Sequence, residues 1–168
     1  VGDKTFAEVV RTAQELGYTE PDPRDDLNGM DFSRKMLILG REIGLPLEMS
    51  DVNIKDFLPE DCLKADSIPS FYEELEKNEP YFSSFKNEAE NSGRKLRLIG
   101  VLEDGKINIE VQIVDANHPF FVFLGSDNII SFTTSRYKNT PLVVKGPGAG
   151  AEVTAAGVFA DLVRVTAQ

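Results

Sequence analysis

The chain has 168 residues with 18 basic and 28 acidic side chains, so its formal net charge is −10 and its pI is about 4.6. This acidity argues against binding to nucleic acid or to an anionic membrane, because no basic patch offsets it. A hydrophobic content of 41% is enough for a folded core, and no apolar stretch approaches the roughly 20 residues of a membrane span. The single cysteine, Cys62, excludes an internal disulfide and favours a cytoplasmic location.

Charge and hydrophobic pattern both change near residue 94. Residues 1–93 contain 21 acids and 10 bases, whereas residues 94–168 contain 7 acids and 8 bases. The apolar spacing changes at the same place, from a period of about 3.6 to a period of about 2. The chain begins at Val1 and not at a methionine, so we expect it to be part of a longer protein.

Capping signals and apolar spacing predict four helices before residue 94. Thr5 and Glu8 have the spacing of a capping box, and apolar residues recur at helical spacing until Gly17. Two prolines and four acidic residues predict a loop over residues 18–26. The next helix is expected from about Gly29 to Ile43, with Asn28 or Asp26 as its cap. Two more are expected at 67–77 and 79–92, after an irregular segment at 45–66.

The second part of the chain predicts strands. Apolar and polar residues alternate from Ile107 to Ile113, and Asp104-Gly105 predicts a hairpin turn before them. Further strands are expected at 120–124, 129–134 and 142–145. A Gly-rich turn and a helix from about Ala151 to Val165 follow, and the small residues of this helix suit packing on a sheet. This order predicts an α+β fold, with a mainly antiparallel or mixed sheet covered by helices.

One pair of residues on the second helix is a candidate site. Asp31 and Lys35 are four residues apart and therefore share a face. Their simplest interpretation is an exposed salt bridge worth about 0.3–0.5 kcal/mol. Two features favour a site: Ile38 continues this face towards a partly closed pocket, and the preceding loop brings acids to the same end of the helix. These acids are Glu20, Asp22, Asp25 and Asp26. Several carboxylates around one lysine suit recognition of an amino group, while Arg34 is expected to point about 100° away from Lys35.

The remaining motifs are weaker. Residues 146–151 match G-x-G-x-x-A between a strand and a helix, yet the second strand of a dinucleotide-binding unit is lacking. An ordinary strand-to-helix turn is therefore favoured, although the helix N-terminus could join an anion site built by another domain. His118 is expected to make a loop hydrogen bond, and Cys62 to be unreactive. The acidic loop lacks the spacing of a calcium site, so we predict no metal site.

Longer stretches of the sequence resemble one enzyme family. Residues 18–31, YTEPDPRDDLNGMD, continuing to Arg34-Lys35, closely resemble the signature of homoserine dehydrogenase. Residues 146–158 are similar to the C-terminal end of that family, and 125–128 and 136–137 also fit. The resemblance covers essentially the whole chain. It implies an oxidoreductase of threonine and methionine biosynthesis that interconverts L-homoserine and L-aspartate 4-semialdehyde with NADP or NAD.

The resemblance also implies residue roles. A hydride moves between the nicotinamide and the aldehyde carbon, while Lys35 handles the proton on the substrate oxygen. Glu20 binds the substrate through its ammonium group, and Gly150 approaches the cofactor. The other implied substrate-site residues are Asp31, Tyr18 and Asp26, the last as a supporting carboxylate.

Family members carry an N-terminal Rossmann domain that binds most of the dinucleotide, and no such domain is present in this sequence. We therefore interpret residues 1–168 as the substrate-binding, catalytic and dimerisation domain, with 146–168 a tail that packs towards the missing nucleotide-binding domain. The parent is expected to be a homodimeric bifunctional aspartokinase–homoserine dehydrogenase, and the isolated chain to be inactive. Two alternatives stay open. One is a non-catalytic dimerisation module, and the other is an amino-acid sensor domain, whose repeated βαββαβ order is not seen here.

Overall fold

Helices and small sheets build the chain, so the predicted α+β class with a mixed sheet is confirmed. The structure is a computed structural model that describes residues 4–122, 127–148 and 150–167. The chain divides into two units, Val1–Val114 and Asp115–Gln168. Within the described residues, every helix is too short or too polar to cross a membrane.

The first unit begins with three helices: α1 (Phe6–Glu15), α2 (Arg24–Leu27) and α3 (Met30–Glu42). The predicted capping box precedes α1, where the Glu8 N–H donates to the Thr5 hydroxyl and the Thr5 N–H donates to the Glu8 carboxylate. The short helix α2 corrects the prediction of a loop over residues 18–26. Pro23 precedes α2 with a φ of −61°, so its fixed φ suits the start of a helical turn.

The rest of this unit contains a short 3-10 turn (Met49–Asp51), β1 (Val52–Ile54), α4 (Glu60–Leu63), α5 (Ile68–Lys77), α6 (Glu79–Asn91), β2 (Lys95–Glu103) and β3 (Lys106–Val114). The prediction of an irregular segment at residues 45–66 is therefore wrong. A strand as short as β1 shows no readable alternation, and it exists because it pairs in parallel with β3, Val52 opposite Ile107. The sheet order is β1-β3-β2, with β2 and β3 antiparallel. Asp104 and Gly105 make the predicted hairpin turn with φ values of 50° and 74°.

Two separate hydrophobic clusters hold the first unit together. One lies among α1, α4, α5 and α6 and contains the fully buried Phe71 and Leu75. The other forms where α3 packs on the sheet, with Leu37 against Ile107 and Ile109. Burial of each of these side chains contributes about 1.5–3 kcal/mol to the stability of the folded state, relative to leaving it exposed. The inner face of α3 is thus fixed on the sheet, while its outer face is left accessible.

The second unit contains β4 (Asp127–Phe132), β5 (Leu142–Pro147) and α7 (Ala151–Thr166). The two strands form an antiparallel pair, as the strand predictions at 129–134 and 142–145 indicated. Residues 120–122 form a turn and bends instead of the expected strand, whose last residues, 123 and 124, lie outside the described part. Residues 125, 126 and 149 of the family motifs, and Val1, also lie outside it. No residue of α7 is buried, so its expected packing on a sheet is not seen in the described residues.

Candidate functional site

A polar cleft of about 490 Å³ opens where the segment after α1 meets the N-terminal end of α3. Seven residues line it: Glu20, Asp25, Asp26, Asn28, Met30, Asp31 and Arg34. The predicted gathering of acidic side chains at this end of the helix is therefore confirmed for Glu20, Asp25 and Asp26, whereas Asp22 does not line the cleft and pairs with Arg24. The cleft carries negative charge on most of its wall, which suits a ligand with a positively charged group.

The backbone before α3 shapes this cleft. Gly29 adopts the left-handed conformation with a φ of 74°, and an added Cβ there would lie 3.2 Å from Cγ2 of Ile54. The Asn28 side chain accepts a hydrogen bond from the Met30 N–H at 2.8 Å. Ser33 is a buried residue of α3, and its hydroxyl donates to the Gly29 carbonyl at 2.8 Å. The N-cap residue of α3 is Gly29, which has no side-chain cap bond, so neither predicted cap occupies that position. Asn28 nevertheless binds the first turn from one residue earlier, and Asp26 does not.

Asp26 instead holds Glu20 in place. The Glu20 N–H donates to Oδ2 of Asp26 at 2.8 Å, and the Thr19 hydroxyl donates to the Glu20 carbonyl at 2.9 Å. The Glu20 carboxylate makes no hydrogen bond or ion pair within the described part of the chain. Its backbone is therefore fixed while its carboxylate stays available to a ligand.

The predicted pair on α3 forms, with Nζ of Lys35 2.8 Å from Oδ2 of Asp31. The side chains of Lys35 and Asp31 are 55% and 62% exposed, and Ile38 on the same face is 59% exposed. The expected partly closed pocket around them is thus not built by the described residues. Asp31 lines the cleft, whereas Lys35, one helical turn after Asp31, does not.

Arg34 is the residue of the cleft that the sequence interpretation missed. It lines the cleft and Lys35 does not, although the sequence indicated a role for Lys35 and none for Arg34. The available signal was its spacing of three residues from Asp31, since residues at i and i+3 are neighbours on a helix surface. Arg34 makes no ion pair or hydrogen bond among the described residues. The cleft wall therefore contains a cationic side chain as well as carboxylates. It offers an opposite charge to both the ammonium and the carboxylate of a zwitterion.

The two remaining predicted site residues are Tyr18 and Gly150. Tyr18 is 77% exposed and is not among the lining residues. Gly150 belongs to the second unit, where it precedes α7 with φ 129° and ψ 147°. That conformation is essentially restricted to glycine. An added Cβ at Gly150 would meet no described atom within 4 Å, so among the described residues its backbone geometry, and not a steric contact, accounts for the glycine.

Two further predictions concern residues outside the cleft. The Phe120 N–H donates to Nδ1 of His118 at 3.1 Å, which confirms the expected loop hydrogen bond. Cys62 is fully buried, and this burial raises the pKa of its thiol, with smaller contributions from Glu74 and Asp61. Within residues 4–122, 127–148 and 150–167, no group of three or more His, Cys, Asp or Glu side chains is arranged to hold a metal ion.

Comparison with known sequences gives one family. The homoserine dehydrogenase family model matches residues 1–163. Bifunctional aspartokinase/homoserine dehydrogenase 2, chloroplastic, from Arabidopsis thaliana is 47% identical over 167 residues, which are 98% of this chain and 18% of that protein. Homoserine dehydrogenase from Schizosaccharomyces pombe is 44% identical over 170 residues, which cover 99% of this chain and 45% of that enzyme.

Solved structures agree with this match. A Candida auris protein of unknown function superimposes with a TM-score of 0.88 at 39% identity, covering 100% of this chain and 48% of that one. A putative homoserine dehydrogenase from Archaeoglobus fulgidus has a TM-score of 0.70 at 26% identity, covering 98% and 44%. The chain thus spans about a fifth of the plant relative and just under half of the other three proteins.

Proposed function

Because the chain belongs to the homoserine dehydrogenase family, we propose that it supplies the substrate site and the proton-transfer lysine of an NAD(P)-dependent homoserine dehydrogenase. The activity is proposed for a longer protein that includes this chain. We expect the chain to be inactive alone. The observation that carries the proposal is the cleft at the start of α3, which presents several carboxylates and one guanidinium to solvent. Homoserine is a zwitterion, so its two charges match that wall.

Glu20 is the proposed partner of the substrate ammonium. Glu20 lines the cleft, and its backbone N–H is held by the Asp26 carboxylate at 2.8 Å. A charge-assisted hydrogen bond from an ammonium to a fixed carboxylate is roughly twice as strong as a neutral one. Asp26 therefore supports Glu20 and does not itself need to touch the substrate. Tyr18, two residues earlier, is proposed as a further contact.

Lys35 is the proposed proton carrier. In the oxidation, Lys35 first releases its own proton to solvent, and its neutral amine then accepts the proton of the substrate hydroxyl while the carbon that bears the hydroxyl loses a hydride to NAD(P). In the reduction, the protonated amine returns the proton to the oxygen. The ion pair with Asp31 at 2.8 Å belongs to the protonated lysine, the form that acts in the reduction, and it fixes the direction of that long and flexible side chain.

The start of α7 is the proposed contact with the cofactor. The first turn of a helix has backbone N–H groups without intrahelical partners, which suits an anionic pyrophosphate. Gly150 leaves open space where a side chain would project, so the described residues fit a close approach of such a group. When bound, NAD(P) accepts the hydride in the oxidation or supplies it in the reduction. Most of its binding is assigned to a nucleotide-binding domain outside this chain.

The tail and the second sheet are the proposed assembly surfaces. Phe159 and Leu162 on α7 are 69% and 58% exposed, which supports packing of residues 146–168 towards the nucleotide-binding domain. Val143 and Val144 on β5 are 43% and 52% exposed, which supports a homodimer interface. We propose a bifunctional parent with an aspartokinase part, as in the relative at 47% identity. A cytoplasmic location stays a prediction, and the plant relatives are named as chloroplastic.

The test replaces Lys35 in the full-length protein. Lys35→Ala should abolish homoserine oxidation, measured as NAD(P)H formation, and leave the oligomer intact by size-exclusion chromatography. Lys64→Ala is the matched control, because Lys64 also forms an exposed i,i+4 pair, with Glu60. Unchanged turnover in Lys35→Ala would contradict the catalytic proposal.

A binding experiment separates the substrate site from catalysis. Calorimetry of the full-length protein with homoserine should detect binding that Glu20→Ala removes and Lys64→Ala retains. The alternative, a non-catalytic dimerisation module, gives no homoserine binding in any of the three proteins. That outcome would leave the chain as a scaffold for subunit contacts.

A further inference from the structure

Arg24 is the best-anchored side chain of the segment that carries the cleft acids. Its Nε donates to Oδ1 of Asp22 at 2.9 Å, and its Nη2 pairs with Oδ2 of the same carboxylate. Its Nη1 donates to the carbonyl of Ala65, 41 residues further along the chain. The side chains of Arg24 and Asp22 are only 22% and 30% exposed. All three nitrogens of the Arg24 guanidinium are thus engaged in a partly buried setting, although Arg24 does not line the cleft.

These contacts tie α2 to the first hydrophobic cluster. Ala65 packs against that cluster, and so does Leu27 at the end of α2. Pro23, between the two ion-pair partners, is fully buried. The Arg24 N–H also donates to Oδ1 of Asp22 at 3.0 Å, so backbone and side chain bind the same carboxylate. The single turn of α2 therefore has little freedom to move relative to the core.

Helix α2 also contains Asp26, the residue that holds Glu20, the proposed partner of the substrate ammonium. Asp26 lies in α2, two residues after Arg24, and its Oδ2 accepts the hydrogen bond from the Glu20 N–H. We infer that Arg24 is a positioning residue for homoserine recognition, since it anchors α2 and thereby sets the place of Asp26 and of Glu20. This inference rests on the proposed function and adds to it a residue remote from the substrate.

The geometry requires an arginine at this position. The guanidinium offers five N–H donors in a fixed plane, which lets it bind both oxygens of Asp22 and the Ala65 carbonyl together. A lysine has the same charge but a single nitrogen, so it cannot span the two partners. If only the positive charge of Arg24 mattered, Arg24→Lys would behave as wild type. A positioning role predicts that it fails like Arg24→Gln.

The experiment compares Arg24→Gln, Arg24→Lys and Arg11→Gln in the full-length protein. Arg11 is the matched control, because it also joins two elements, by pairing with Glu76 at 3.3 Å and lying 4.1 Å from the Tyr72 ring centre. Both Arg24 variants should lower kcat/KM for homoserine by roughly 10- to 100-fold, mainly through KM, and leave KM for the dinucleotide unchanged. Hydrogen exchange should accelerate in residues 18–28. Arg11→Gln should show neither effect.

Several results would overturn the inference. Unchanged exchange at residues 18–28 would show that Arg24 does not hold the segment. Faster exchange with an unchanged KM, or wild-type kinetics in Arg24→Lys, would show that its anchoring does not serve recognition. If an Arg24 variant does not fold, Asp22→Asn tests the same link and should give a smaller effect in the same direction. A wild-type protein without homoserine turnover would refute the proposed function, whereas the exchange measurement still reports on Arg24 as an anchor.

Discussion

Substitution of Gly29 by alanine is expected to weaken both the fold and the site. A non-glycine residue in the left-handed region costs about 1–2 kcal/mol, and Gly29 has a φ of 74°. The new Cβ would also lie 3.2 Å from the Ile54 side chain, which is partly buried against the hydrophobic cluster between α3 and the sheet. Overpacking of this kind adds roughly 1 kcal/mol or more. We therefore expect Gly29→Ala to destabilise the protein by about 2–3 kcal/mol.

Gly44 provides the internal control at the other end of α3. It has a φ of 89°, and an added Cβ would meet nothing within 4 Å. Gly44→Ala therefore carries the backbone cost of about 1–2 kcal/mol without the steric contact. Thermal unfolding of both variants measures the difference, since 1 kcal/mol corresponds to about 2–4 °C in a protein of this size. Gly29→Ala should also raise KM for homoserine, because it changes the position of Asp26 relative to Asp31 across the cleft, whereas Gly44→Ala should not.

A double-mutant cycle decides whether the contact with Ile54 is responsible. Ile54→Ala removes the atom that an added Cβ would meet, so the double variant should lose less stability than the sum of the single variants. Equal losses for Gly29→Ala and Gly44→Ala, together with additive behaviour in the cycle, would refute the steric reasoning.

Three further predictions concern single side chains. Cys62 should react with Ellman's reagent far more slowly in the folded protein than in denaturant, because burial raises its thiol pKa and excludes the reagent; equal rates would contradict this. The Arg24 hydrogen bond lowers the pKa of Asp22, so Asp22→Asn should be less stable than wild type above about pH 5, with the gap closing as the pH falls below about 4. Chemical denaturation across this pH range measures the difference in free energy of unfolding between the two proteins. A difference that persists at low pH would exclude the Asp22 charge as its cause. Arg34→Gln should raise KM for homoserine in steady-state assays, and an unchanged KM would exclude Arg34 from the substrate site.

Features that depend on neighbouring residues were predictable from the sequence. The capping box of Thr5 and Glu8 and the hairpin turn at Asp104 form through groups only a few residues apart. The spacing of Asp31 and Lys35 likewise brings them together on α3. The acidic segment before α3 was correctly expected at the end of that helix. In each case the partner is close along the chain, so the contact needs no information about the rest of the fold.

Contacts between distant residues were decided by the tertiary structure. The strand β1 exists only because β3 is available to pair with it, and Arg24 meets the Ala65 carbonyl only because the chain returns there. The choice between Arg34 and Lys35 at the cleft wall follows from how Leu37 packs α3 onto the sheet, since that packing sets the rotation of the helix. Helical periodicity specifies which residues share a face but not which face is buried against which partner. The sequence alone determined the family signature and the site's residue types, and long-range packing decided which of them meet.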